Sequence, residues 1–287
     1  TFFETQDHAV WATNAVYQQY RSWEMCAFPW IGITDIISDD ADKGSTPNDA
    51  LYVLELDEFT FDGTNAAITG AWLGHYQAIF RANLAIENIP GIEMDSTLRA
   101  RLIGECRFLR AYAYFRLVQW YGDVPLITTI LNEDQYYNQE RTSKELVYDF
   151  IETDLLAAIE ALPEKDEYAS ADLGRATKGA ARGILAKLYA VQHDFPKVIE
   201  QCDAIINSGE YSMLARYADN FLPVGEHGDE SIFEISAVAS QAAIVGPGAT
   251  AFNLIRGVSG VTIFGWGLNR PSDYLVAEDN AGDPHRQ

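Results

Sequence analysis

Two stretches of this chain gather side chains that could hold a ligand. The first runs from 28 to 65 and carries Trp30, Phe61, Asp62 and Asn65 together with the acidic cluster Asp39, Asp40 and Asp42. The second, 238–270, is glycine-rich and carries Trp266 and Asn269. Flat aromatic faces stack on sugar rings, while Asp and Asn satisfy hydroxyls. Asp40, Phe61, Asn65, Trp266 and Asn269 are therefore the candidate ligand-binding set for a glycan. For a peptide, the same loops would offer backbone groups. The plainer reading is that each aromatic only pins an irregular segment to the rest of the fold. Asp39, Asp40 and Asp42 ahead of Gly44 also invite a calcium reading. A calcium loop needs D-x-D-x-D-G with Glu at position twelve, and from Asp40 the glycine falls too early. A solvated acidic loop, or one that bonds a polar ligand, fits the spacing better.

Other chemistry finds little support. The sequence has no nucleophile elbow, HExxH or phosphate loop. His75 and His193 stand alone. Carboxylates are plentiful, so a pair at glycosidase separation stays open. Cys26, Cys106 and Cys202 form no CxxC or zinc-like cluster, and Cys106 and Cys202 lie on apolar helix faces where cysteine acts as a small hydrophobe. No metal or cofactor is expected. The net charge of −22, spread along 287 residues, repels nucleic acid. With 48% hydrophobic residues the chain can bury a sizeable core. It shows no signal peptide and no run long enough to span a bilayer. It opens inside a helical pattern and stops abruptly at GDPHRQ, so further residues are expected on both sides.

The elements that would position these groups are helices. Apolar periodicity predicts helices over about 5–22, 66–89, 95–121, 143–162 and a pair within 175–209. The segment ECRFLRAYAYFRLVQWYGDVPLI is apolar on nearly every side, with only a narrow polar line through Arg101, Glu105, Arg116 and Gln119. Such a helix is buried between others. In the last pair, Leu185, Ala186, Tyr189, Asp194, Phe195, Val198, Cys202 and Ile205 match the spacing of a tetratricopeptide repeat (TPR), with a generic helical hairpin as the alternative. One such unit cannot bury its own face, so more are expected. Residues 28–65 read as irregular. Phe233, Ile235 and Ala237 alternate with polar residues and suggest a short strand. The predicted fold is mainly α, with TPR-like hairpins in a curved scaffold, long irregular loops and minor β-structure.

The wording of these segments goes further. RAYAYF followed by WYGDVPL, together with DIISDDAD, WLGHYQAIFRANLAIENI, GRATKGAARGILAKLYAVQHDFPKVIEQCDAIINSGEYSM and GWGLNRPSDYLVAEDNAGDPHRQ, resembles the SusD/RagB family of outer-membrane nutrient-binding lipoproteins. In the last of these, His285 is inserted before Arg286. The resemblance implies one SusD-like domain over 1–287, incomplete at both ends. Its TPR-like core would cover about 66–209 and its ligand loops about 28–65 and 238–270. It implies a non-enzymatic, cell-surface protein held in the outer membrane by an N-terminal lipid that lies outside this sequence. Such a protein would capture oligosaccharides, or in some branches peptides, for a SusC/RagA-like TonB-dependent transporter. A scaffold that binds only protein is the competing reading from the repeat alone.

Overall fold

The computed structural model describes residues 2–236 and 265–278. The fold is mainly helical. In chain order the elements are α1 (Gln6–Gln19), α2 (Trp23–Cys26), α3 (Phe28–Ile31), β1 (Ala41–Gly44), α4 (Leu51–Asp57), α5 (Ala66–Asn88), α6 (Ser96–Tyr121), α7 (Glu133–Tyr136), α8 (Lys144–Ala161), α9 (Lys178–Val191), α10 (Phe195–Ser208), β2 (Leu268–Pro271) and α11 (Asp273–Glu278). The chain divides into two compact units. Unit 1 comprises 1–17 and 75–236, and unit 2 comprises 18–74 and 237–287. No helix of the described residues is long and apolar enough to cross a membrane.

Unit 1 is organised on α6. Asp95 caps it by accepting from Leu98 N–H at 2.8 Å, and Gly122 ends it at φ 69°. Phe108, Leu109, Ala113 and Leu117 are fully buried, as the all-round apolar pattern requires. The helix packs against α8, α8 packs against α9, and α9 packs against α10, a succession of antiparallel neighbours of the repeat kind. Thr177 and Asp194 cap α9 and α10. Ala180, Ala181 and Ala186 are buried in α9, where small side chains let the next helix come close.

Two buried polar clusters tie the helices of unit 1 together. Arg110 of α6 grips Asp154 of α8 with two parallel bonds, Nε to Oδ2 at 2.8 Å and Nη2 to Oδ1 at 2.9 Å. Its Nη1 donates to Asn83 Oδ1 of α5 at 2.6 Å. Glu105 is fully buried and bonded by Arg175 at 2.9 Å, and Arg175 also holds Asp172 at 2.7 Å. Of the polar line of α6, Glu105 is thus buried against Arg175, whereas Gln119 is exposed. Cys106 is buried beside Thr13, and burial pushes its thiol up to about 12, which keeps it an unreactive thiol. Residues 231–236 form no strand, in contrast to the alternation read from the sequence; Ala237 lies outside the described residues.

Unit 2 differs from the sequence reading in its first half. The stretch read as an irregular loop holds two short helices, α3 and α4, a π-helical turn over Gly32–Ile36, and β1. Its core is Ala27, Phe28, Ile31, Ile36 and Val53 together with Leu268 from the far end of the chain. A Cβ on Gly32 would stand 2.6 Å from Leu56 Cδ1, so a larger residue there would force the buried Leu56 side chain to shift. β1 and β2 pair antiparallel, with Ala41 opposite Pro271, Asp42 opposite Arg270 and Gly44 opposite Leu268. Ser272 donates to Asp40 O at 2.9 Å and to Asp39 O at 2.6 Å, which fixes the backbone of the acidic stretch.

Candidate functional site

An aromatic cluster stands out in unit 2. Phe28 is buried at its base. Trp23 meets Phe28 edge-on at 5.2 Å, Trp266 lies over it at 5.6 Å, and Tyr52 approaches at 5.9 Å. The two indoles are 6.3 Å apart. They are 43% and 40% exposed, although each rests on a buried ring. Beside them lies a groove of about 360 Å³ lined by Trp23, Glu24, Pro29 and Tyr52 and by Ala66, Thr69, Gly70 and Leu73 at the start of α5. Its size suits a small ligand. Burial raises the Tyr52 phenol above its ordinary value, so it stays a neutral hydroxyl that can donate or accept. The lining therefore offers flat apolar faces with one carboxylate and two hydroxyls at hand.

The five residues singled out from the sequence fall in different places. Trp266 is in the cluster, on Phe28 and Trp23. Phe61 is half-buried and pairs with Phe59 at 6.4 Å, away from the groove lining. Asn65 is 4% exposed and caps α5. Its Nδ2 donates to Tyr52 O and Glu55 Oε2, both at 2.7 Å, and its Oδ1 accepts from Ala67 N–H at 2.9 Å and Ile68 N–H at 3.4 Å. All four hydrogen-bonding positions of the amide are taken within the chain, so Asn65 has none to give a ligand. Asp40 is exposed, and its backbone carbonyl serves the link to Ser272. Asn269 sits on β2 at φ 58° and donates to Asp35 Oδ2 at 2.8 Å, while its Oδ1 is buried with no hydrogen-bond partner among the described residues. Residues 237–264 of the glycine-rich stretch, Phe252 and Phe264 among them, lie outside the described residues.

Trp23, Phe28 and Tyr52 were missed from sequence. Trp23 and Phe28 fall in four-residue helices, too short to show a period, and Trp23 follows directly on the helix pattern of 5–22. The usable signal was density: Trp23, Phe28 and Trp30 crowd into eight positions. Trp30 itself is packed against the core of unit 2, an anchor as the plainer reading had it.

No group of three or more His, Cys, Asp or Glu among the described residues could hold a metal ion. One acid–base arrangement occurs in unit 1, where His227 Nδ1 lies 3.0 Å from Glu234 Oε1 and Nε2 lies 3.2 Å from Ser236 Oγ. The cavity beside it measures about 20 Å³, room for a water and not for a substrate.

A family model described as "Starch-binding associating with outer membrane" matches residues 32–190. SusD-like protein P25 of Formosa agariphila is 25% identical over 244 residues, covering 82% of this chain and 45% of that one. A SusD-like protein of Bacteroides ovatus is 28% identical over 187 residues, covering 60% and 33%. Among solved structures, a laminarin-binding SusD-like protein superposes with a TM-score of 0.83 at 24% identity, over 96% of this chain and 65% of that chain. Surface glycan-binding protein A from Bacteroides thetaiotaomicron in complex with laminarihexaose gives 0.81 at 23% identity, over 97% and 62%. The chain thus spans less than half the length of the curated relatives and under two thirds of the solved chains. The family match takes in more than half of the chain, from the π-helical turn of unit 2 to the last turn of α9, and on that extent the chain belongs to the SusD-like (SusD/RagB) family.

Proposed function

We propose that this protein captures neutral oligosaccharides in the groove of unit 2, as a surface-exposed, lipid-anchored component of the outer membrane, and delivers them to a SusC/RagA-like TonB-dependent transporter. It acts by binding and not by catalysis. The observation that carries the reading is the pair of indoles, Trp23 and Trp266, each more than one third exposed yet seated on the buried ring of Phe28 beside a groove of about 360 Å³. Rigid aromatic faces kept at the surface contribute little to the fold, and stacking on a sugar ring gives them a use. The solved relatives that bind laminarin and laminarihexaose support the ligand class. Transporter and lipid anchor rest on family membership, which is an analogy and not a site argument.

Titration calorimetry against laminarihexaose and a panel of neutral oligosaccharides tests the site. Trp23→Ala with Trp266→Ala should weaken binding at least about fivefold, since each lost stacking contact is worth roughly 0.5–1.5 kcal/mol. Undiminished binding by the double variant would refute the placement. Glu24 in the lining and a net charge of −22 favour a second reading, a basic peptide as ligand. Salt separates the two. Affinity for a neutral sugar should hold from low to high ionic strength, whereas affinity for a basic peptide should fall.

A further inference from the structure

The polar side chains that line the groove of unit 2 are Glu24, Tyr52 and Thr69, and they differ in what they can offer a ligand. The Thr69 hydroxyl donates to Asn65 O at 3.0 Å. Its one proton is spent within the chain, so toward a ligand it can only accept. Glu24 is half-buried and makes no hydrogen bond or ion pair among the described residues. A carboxylate has two oxygens and no proton, so it too only accepts. The Tyr52 hydroxyl, likewise without a hydrogen bond among the described residues, can do either. Two of the three groups therefore call for a ligand that brings donors. Sugar hydroxyls do so. The carboxylates and sulfates of acidic sugars bring acceptors, and they bring a charge of the same sign as Glu24, the one charged residue among those that line the groove.

Glu24 is also held in place. A Cβ on Gly74 of α5 would stand 2.7 Å from Glu24 Cβ and 2.8 Å from Met25 Cγ. The Glu24 Cβ cannot withdraw without its backbone. Glycine weakens the interior of a helix, and at 74 it lets α2 lie directly on α5. Met25 is buried, and Gln19 Nε2 donates to Gly74 O at 3.3 Å just ahead of α2 in the chain, so the segment that carries Glu24 is seated at both ends. A carboxylate on an ordered stem has less freedom to lose when a ligand arrives. Building on the oligosaccharide reading of the groove, we infer that Glu24 is its specificity-determining residue: next to the indole of Trp23 it accepts hydroxyls of a neutral oligosaccharide and turns away sugars that carry carboxylate or sulfate groups. Trp23 and Trp266 supply affinity for any sugar face, and Glu24 selects the class.

Calorimetry on a matched pair of ligands tests this. One is laminarihexaose, or whichever neutral oligosaccharide of the panel binds tightest. The other is the same oligosaccharide with its primary alcohols oxidised to carboxylates. At about 0.15 M salt, charges more than about 8 Å away are largely screened, which separates Glu24 from the net charge of −22. The wild-type protein should prefer the neutral form by about tenfold or more. Glu24→Gln keeps the shape and removes the charge. It should weaken neutral binding about 3- to 10-fold, because hydrogen bonds to a charged group are roughly twice as strong as neutral ones. It should also bring the preference for the neutral form to within about threefold. Glu24→Asp retains the charge and should retain the preference. The melting temperature of Glu24→Gln should stay within about 1 °C of wild type, since the carboxylate has no partner to lose. A wild type that binds both forms equally overturns the inference, as does a Glu24→Gln variant that discriminates as before. A Glu24→Gln variant that melts several degrees lower also overturns it, by making the carboxylate part of the fold. If Trp23→Ala with Trp266→Ala loses binding while Glu24→Gln alters nothing, the groove stands and only the role of Glu24 falls. If no panel oligosaccharide binds the wild-type protein, the reading of the groove fails and the role of Glu24 falls with it.

Discussion

Replacing Asp154 by Leu should be among the most damaging single changes in this protein. Arg110 and Asp154 are 5% and 2% exposed, and their two parallel bonds join α6 to α8. Asp154→Leu removes the anion and leaves the guanidinium buried. Breaking a buried pair from one side typically costs about 3–5 kcal/mol, because the surviving charge is neither hydrated nor matched. Part of that loss is offset here. Arg110 keeps Asn83 Oδ1 at 2.6 Å and Thr128 O at 3.1 Å, and its guanidinium lies 4.9 Å from the Phe150 ring. The lower end of the range, about 3 kcal/mol, is therefore expected. At roughly 2–4 °C per kcal/mol, the melting temperature should fall by about 6–12 °C. Thermal unfolding followed by circular dichroism reads this directly. Arg110→Met combined with Asp154→Leu should recover most of the loss, since an apolar pair of similar volume leaves no orphan charge. Asp154→Leu melting within about 1 °C of wild type would refute the reasoning, as would a double variant no more stable than the single one.

Ala186 is 7% exposed where α9 packs in the repeat, so Ala186→Trp should overpack the contact and destabilise by about 1–3 kcal/mol, and unchanged denaturant unfolding would show the helix pair to be packed otherwise. Burial raises the Asp172 carboxyl, but the Arg175 hydrogen bond and the charges of Arg101 and Arg175 outweigh it and hold the group below its ordinary value of 3.8. The unfolded chain then binds the proton more tightly, so this stabilisation is complete above that value and lost as the pH falls through the lower folded one. Asp172→Asn should therefore lower stability at neutral pH and reduce its further loss on acidification below about pH 4; parallel curves for variant and wild type would contradict this.

The long helices were legible because burial repeats along them. Phe108, Leu109, Ala113 and Leu117 announce α6 and its surroundings through spacing alone. The same logic is silent on what the polar positions face. Glu105 belongs to a line that reads the same whether water or Arg175 lies opposite, and it is fully buried. Ile206 of α10 is 70% exposed, since an apolar residue on a helix need not be covered by anything. Of the two aromatics picked from the sequence, Trp266 falls in the aromatic cluster and Phe61 does not. Trp266 stood out because a large ring in a glycine-rich stretch needs a reason. Asn65 was taken for a ligand residue by type, although an Asn directly before a helical run is the mark of a cap. Trp23 and Tyr52 escaped because α2 and α4 are too short to carry a pattern, and their placement depends on Leu268 and Trp266 from the other end of the chain.

The pairing of β1 with β2 carries a consequence in time. Residues 41–44 meet residues 268–271, with the whole of 75–236 between them in sequence. The closure entropy of such a loop grows only slowly, by about 0.6 kcal/mol for each doubling of length, so equilibrium tolerates the arrangement. Order of assembly is less forgiving. As the chain is synthesised from its N-terminus, α6 and α8–α10 are complete before Trp266 has been added, whereas Trp23 and Tyr52 have been present from the start. Until the last of β2 is made, the first half of unit 2 lacks Leu268 for its core and a partner for the edge of β1. Throughout that interval Phe28 waits without Trp266, its apolar ring and the open strand edge offered to whatever else is near, and a nascent chain needs shelter there before its helices do.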